Sequence, residues 1–112
     1  METTRQRKVS KTILKDLSKI FQKKTYEFLG PILVTITDVE VTRDLSIAKV
    51  YLSLFPSKDP NSSLEILNSK KSYFRKLLAK ELKNQLRIIP EIIFYLDDSA
   101  SYSEKIDKLL KK

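Results

Sequence analysis

Residues 32–55 read ILVTITDVEVTRDLSIAKVYLSLF, and the alternation within this stretch decides what the rest of the chain can build. Branched and aromatic side chains crowd both halves, which is the composition of strands. In the second half Ala48, Val50, Leu52 and Leu54 fall on one face and Lys49, Tyr51 and Ser53 on the other, the two-residue period of a half-buried strand. The first half changes phase: Val34 and Ile36 share one parity, Val39 and Val41 the other. One extra residue near Thr37–Asp38, a β-bulge, returns all four to a single face. The connection Thr42-Arg43-Asp44-Leu45 is short enough for a hairpin, so strands over 32–41 and 45–55 are expected as antiparallel neighbours. A sheet with one apolar and one polar face needs helices on its apolar side.

The flanking segments supply them. Val9, Ile13, Leu17, Ile20 and Phe21 recur at helical spacing and predict an amphipathic helix over 4–24, with Arg7, Lys8, Lys11, Lys15 and Lys19 largely off its apolar stripe. The turn FLGP (28–31) holds the single glycine beside a proline. After a loop over 55–63, Ser62 with Glu65 has the spacing of a capping box. Leu64, Leu67, Phe74, Leu77, Leu78, Leu82 and Leu86 then carry an apolar stripe toward Pro90. Its phase slips around 69–72, which separates a short helix from a long one, and the small Ala79 permits close packing or a bend. The helix is expected to end between Arg87 and Pro90, because a residue before proline is pushed out of the α region. IIFYL (92–96) is a third strand, closed by Asp97 and Asp98. Ser101, Glu104, Ile106, Leu109 and Leu110 predict a last short helix. A helical crossover makes strands two and three parallel, adjacent and joined right-handedly. The expected fold is a single α+β domain over 1–112, α-β-β-α(kinked)-β-α. Its three-stranded mixed sheet, of order 1-2-3, is covered by helices on one face.

Composition removes most chemistry. The 112 residues include no cysteine and no histidine, which excludes disulfides, thiolate nucleophiles, Cys/His zinc sites and histidine acid/base catalysis. With one glycine there is no glycine-rich phosphate cradle. Asp38 and Glu40 stand two apart on a strand, a spacing that can hold a metal, but the solvent side of a sheet explains them more simply. Strand termination likewise explains Asp97 and Asp98. No catalytic group, metal or other cofactor is expected. No apolar run approaches a membrane span, and the N-terminus METTRQRKVSK has no signal-peptide core, so a cytoplasmic protein without a membrane partner is expected.

Charge is more informative. The formal net charge is +8, and it is unevenly placed. Residues 1–24 carry eight Lys/Arg against two acids and residues 70–87 seven against one, whereas residues 25–69 carry three against six. Basic charge confined to two predicted helices points to a polyanionic partner. The candidate contacts are Arg5, Arg7, Lys8 and Lys11 on the first helix, and Lys70, Lys71, Arg75, Lys76, Lys80, Lys83 and Arg87 on the main one. Arg43 at the hairpin tip is a weaker addition. Any one of them is also explained as a solubilising side chain, and Arg87 can instead pair with Glu91 or Asp97. The rival readings are a protein-binding adaptor using the exposed sheet face, on which Tyr51 stands, or the edge at the first strand, and a general RNA-binding protein of the same fold.

Four segments together resemble the ribosome-binding factor A family. They are Arg5-x-Arg7-Lys8-Val9, the stretch from Val34 to Phe55, Tyr73-Phe74-Arg75-x-x-Leu78-Ala79, and Arg87-x-x-Pro90-Glu91-Ile92-x-Phe94-x-x-Asp97. The resemblance spans about residues 5–110 and implies a type II KH-like fold. It also implies a non-catalytic factor, without cofactor or small-molecule substrate, that binds the small (30S) ribosomal subunit and its 16S rRNA late in assembly. Such a factor assists rRNA maturation near the 5′ end and matters most in the cold. In place of a glycine clamp, members have a bent helix pair with a small residue at the bend, which Ala79 matches. Arg75 and Arg87 stand inside the matching motifs. A monomer is expected.

Overall fold

The first helix, α1 (Thr4–Leu29), opens on a reciprocal cap: Gln6 N donates to Thr3 Oγ1 (3.1 Å) and Thr3 N donates to Gln6 Oε1 (2.8 Å). Val9, Ile13, Leu17, Ile20 and Phe21 are buried as their spacing predicts. The helix runs on past Lys24 because Thr25 continues the buried stripe and Phe28 and Leu29 pack against it. It stops at Gly30, whose φ of +71° suits glycine and whose N–H returns to Tyr26 O (2.9 Å). This computed structural model describes residues 3–56 and 58–97.

Strands β1 (Leu33–Val41) and β2 (Ile47–Phe55) pair antiparallel. Ile36 faces Leu52 while Asp38 faces Tyr51, so Thr37 is the extra residue of the expected bulge. The bulge turns Ile36, Val39 and Val41 inward together and leaves Asp38 and Glu40 outside. Strand β3 (Glu91–Leu96) lies parallel on the other side of β2, giving the order β1-β2-β3.

Between them lie α2 (Pro60–Ser69) and α3 (Lys71–Leu82), where three expectations need correction. Helix α2 is capped by Asp59, whose carboxylate accepts from Ser62 N (3.2 Å) and Ser62 Oγ (2.7 Å), with Pro60 as the first helical residue. An Asp before a Pro preorganised for the first turn displaces the Ser62/Glu65 box. The helical break falls at Lys70, where the apolar phase slips, and Ala79 lies inside α3. Helix α3 ends at Leu82, well short of Arg87. The chain turns there through bonds from Gln85 N (2.8 Å) and Leu86 N (2.9 Å) to Leu82 O. The last helix expected after Ser101 lies outside the described residues.

One core lies between the sheet's inner face and the helices, built on Phe21, Leu52, Phe74, Phe94 and their neighbours. The open edge of β3 is held by a side chain: Asn68 Nδ2 donates to Phe94 O (3.1 Å) and Asn68 Oδ1 accepts from Phe94 N (2.9 Å). The amide thus substitutes for a neighbouring strand. Leu52 and Phe74 are both 0% exposed. Truncating either to alanine is expected to cost about 2–5 kcal/mol, read as a lowered urea midpoint; unchanged midpoints would mean that these faces are wrongly assigned.

Candidate nucleic-acid interface

Lys8, Lys11, Lys15, Lys19 and Lys23 recur every three or four residues along α1 and are all exposed, so they form one row on the helix surface. From Lys8 to Lys23 the row is roughly 22 Å long at 1.5 Å per residue. Each end of the row meets the second basic segment. At the N-terminal end Arg5 and Lys8 face Arg87 across a groove of about 430 Å³. Farther along, Lys19, Lys23 and Lys24 meet Lys80 of α3 across a second groove that also holds Asp16 and Glu81. Two blocks distant in sequence therefore share one side of the molecule.

Local bonds set this arrangement. Gln6, which caps α1, is buried and donates through Nε2 to Val41 O (2.8 Å). That bond ties the start of α1 to the end of β1 and brings Arg5 and Lys8 beside the hairpin tip. The tip is organised by Asp44, whose Oδ1 accepts from Thr42 Oγ1 (2.8 Å), Ser46 N (3.1 Å) and Ser46 Oγ (2.7 Å). The Ser46 hydroxyl, then the Thr42 hydroxyl, holds the Asp44 carboxyl below its ordinary pKa by favouring the charged form. Arg43 stands exposed on this turn.

The remaining candidates divide. Arg7, Lys11, Lys76 and Lys83 are exposed on the helical segments or just beyond α3. Lys70 sits at the helical break with Nζ 5.7 Å from the centre of the Phe28 ring, a cation–π contact. Arg75 is committed to the fold: Nη2 donates to Ile89 O (2.8 Å) and Nε to Pro90 O (3.2 Å), pinning the segment that enters β3. It shares a shallow hollow with Lys71, Ser72 and Glu91. Lys15, Lys19, Lys23 and Lys24 were not among the contacts expected from the sequence. The four-residue spacing of the first three continues the pattern of Lys8 and Lys11 and could have shown them.

The sheet's outer face has a different character. Tyr51 and Tyr95 stack there with ring centres 5.7 Å apart, and Tyr51 Oη donates to Glu40 Oε2 (3.1 Å). Burial, then the Glu40 carboxylate, raises the Tyr51 phenol above its ordinary pKa. Asp38, Glu40 and Glu91 on this face against Lys49 make it a poor surface for a polyanion. Among the described residues no cluster of His, Cys, Asp and Glu is disposed to hold a metal, and no helix is long and apolar enough to cross a membrane.

The family model for ribosome-binding factor A matches residues 5–110. The chain belongs to the ribosome-binding factor A family. It is 43% identical over 112 residues to ribosome-binding factor A of Cytophaga hutchinsonii, covering 100% of this chain and 84% of that protein. The Prosthecochloris aestuarii protein of that name is 43% identical over 106 residues, covering 94% and 85%. Among solved structures, a putative ribosome-binding factor A of Thermotoga maritima superposes with a TM-score of 0.64 at 31% identity, covering 85% of this chain and 89% of that one. The crystal structure of the Thermus thermophilus protein gives 0.67 at 20% identity, covering 81% and 94%, a likeness of fold. Membership makes this chain a non-catalytic ribosome assembly factor.

Replacing Arg75 by alanine leaves two carbonyls without their charged donor. It is expected to cost about 1–3 kcal/mol in a denaturant titration, with Lys restoring little because an ammonium lacks the guanidinium fork. Lys76→Ala should leave stability unchanged; equal effects would remove the structural role of Arg75. For Asp44 the folded pKa is depressed, so its contribution is present above the unfolded value of about 3.9 and is lost as pH falls through the folded value. Amide exchange at Leu45, whose N–H bonds Thr42 O (2.8 Å), should quicken in that acid window. A rate that follows only the intrinsic pH dependence of exchange would show that the carboxylate does not hold the turn.

Proposed function

We propose that the α1–α3 side of this protein binds 16S rRNA on the small ribosomal subunit during late assembly. Docked there, it assists maturation near the 5′ end, acting in the cytoplasm as a monomer without cofactor, with its loss felt most at low temperature. The observation that carries this reading is the row from Lys8 to Lys23, which meets Arg87 at one end and Lys80 at the other. A continuous cationic surface of that length, without an aromatic ladder or glycine clamp, suits the backbone and shape of structured RNA. Family membership points the same way. Coordinates of the Thermus thermophilus ribosome-binding factor A, similar in fold at a TM-score of 0.64, were fitted into the cryo-EM map of a 30S complex.

Sedimentation of the protein with purified small subunits over a salt series tests it. Six phosphate contacts lower affinity by about three orders of magnitude between about 50 and 200 mM salt, on the scale known for duplex DNA. Joint reversal of Lys15 and Lys19 to Glu should weaken binding and flatten the salt slope by about two. The same reversal at Lys49 of β2 and Lys58 of the loop before α2, outside both basic helices, should do far less. Equal losses from both pairs would show general attraction without a defined face. Binding that ignores salt and survives digestion of the rRNA would end the RNA reading.

A further inference from the structure

The groove at the N-terminal end of α1 differs from the rest of the cationic surface. Its floor is aliphatic, made by the buried Val9 and Leu45 and the half-buried Leu86, and the exposed Ile88, Arg5, Lys8 and Arg87 line it as well. No acid lines it, whereas Asp16 and Glu81 enter the second groove and Glu91 the hollow beside Arg75. Its volume of about 430 Å³ lies in the range of small-ligand sites, roughly 300–1,000 Å³.

Two further observations mark it as more than a gap between elements. Ile88 is 58% exposed, a large apolar side chain kept out of a core that lies close by. Leu45 has φ +62°, a left-handed backbone that a bulky residue rarely adopts. The surroundings hold it there: its own N–H bonds Thr42 O (2.8 Å), and the next residue is anchored by Ser46 N to Asp44 (3.1 Å) and by Glu91 N to Ser46 O (2.8 Å). This conformation places the buried Leu45 in the groove floor, and such outliers gather at ligand sites.

We propose that this groove takes one unstacked nucleotide from a single-stranded RNA segment. The base lies on Ile88 and the aliphatic floor, with its phosphates on Arg5, Lys8 and Arg87. The proposal rests on the RNA reading above and narrows it. An A-form backbone offers phosphate and ribose but no flat apolar surface, so it can satisfy the lysine row yet leaves this floor uncovered. A splayed base covers it, and arginine planes can stack on base faces. Gln85, also on the groove, carries an amide that both donates and accepts, the pair of functions needed to read a base edge.

Fluorescence anisotropy on the full chain tests this with three labelled probes: a short oligoadenylate, the same ribose-phosphate chain without bases, and an RNA duplex. The oligoadenylate should bind several-fold tighter than the abasic chain, because a base laid on the aliphatic floor removes apolar surface from water. Ile88→Ser, at an exposed position, should abolish that preference while leaving duplex binding unchanged. Arg87→Gln should weaken binding of both single-stranded probes. In methyl NMR spectra the oligoadenylate should shift Leu45 and Ile88 and leave Leu77, beside the second groove, in place. Equal affinity for the two single-stranded probes, or an Ile88→Ser variant that keeps the preference, would overturn the nucleotide site while duplex binding still upheld the basic face. Failure of every RNA probe together with salt-independent binding to the subunit would overturn both.

Discussion

Phe21 of α1, Phe74 of α3 and Phe94 of β3 meet beneath the sheet, with ring centres 5.0, 5.5 and 5.9 Å apart and planes inclined at 50° to 87°. This contact fixes everything outside it. Phe28 extends it with edge contacts to Phe74 (5.8 Å) and Tyr73 (5.7 Å). Two helices that share one aromatic cluster must lie side by side with their apolar stripes inward, so their lysines and arginines are left on the outside together. Like charges on neighbouring helices repel, by tenths of a kcal/mol per exposed pair. Burying a single phenylalanine contributes about 1.5–3 kcal/mol, so the core dictates the arrangement and the charges accept it. A surface assembled against its own electrostatics is relieved when a polyanion covers it.

Three polar side chains turn that coarse arrangement into a defined surface. Gln6 joins the start of α1 to the end of β1, Asn68 joins the end of α2 to the open edge of β3, and Arg75 joins α3 to the segment entering β3. Each bonds main-chain groups on another element, so each fixes a position and a direction where apolar packing alone would allow sliding. The basic groove lies between two of these ties. Gln6 places its α1 wall, and Arg75 pins the residues immediately after Ile88. Arg75 shows how a motif residue with a phosphate-binding chemistry can also hold the site in place.

The sheet was legible because its signals are local and repeated. The parity change between Ile36 and Val39 announces the bulge, and the alternation through Ala48–Leu54 announces the inner face. The ends of the helices were less legible because tertiary bonds decide them. Nothing near Arg87 says that the helix stops at Leu82, since the guanidinium that holds the departing chain comes from Arg75, inside that same helix. The phase slip near 69–72 did mark the break at Lys70, and the small residue Ala79 proved a weaker signal than that slip. At the candidate site, charge clustering showed which helices carry the basic side chains. The grooves did not show, because each needs residues far apart in sequence, as Lys8 and Arg87 are. The commitment of Arg75 to two backbone carbonyls was invisible for the same reason.

The central claim is that the protein meets the subunit with its helices and turns the Tyr51–Tyr95 face away. A photoreactive residue placed singly at Lys15, Lys76, Thr35 or Tyr95, followed by ultraviolet crosslinking on the purified small subunit, asks this directly. Positions 15 and 76 are predicted to crosslink to 16S rRNA and positions 35 and 95 to leave it unlabelled. Strong rRNA crosslinks from 35 and 95, with none from 15 and 76, would contradict the account.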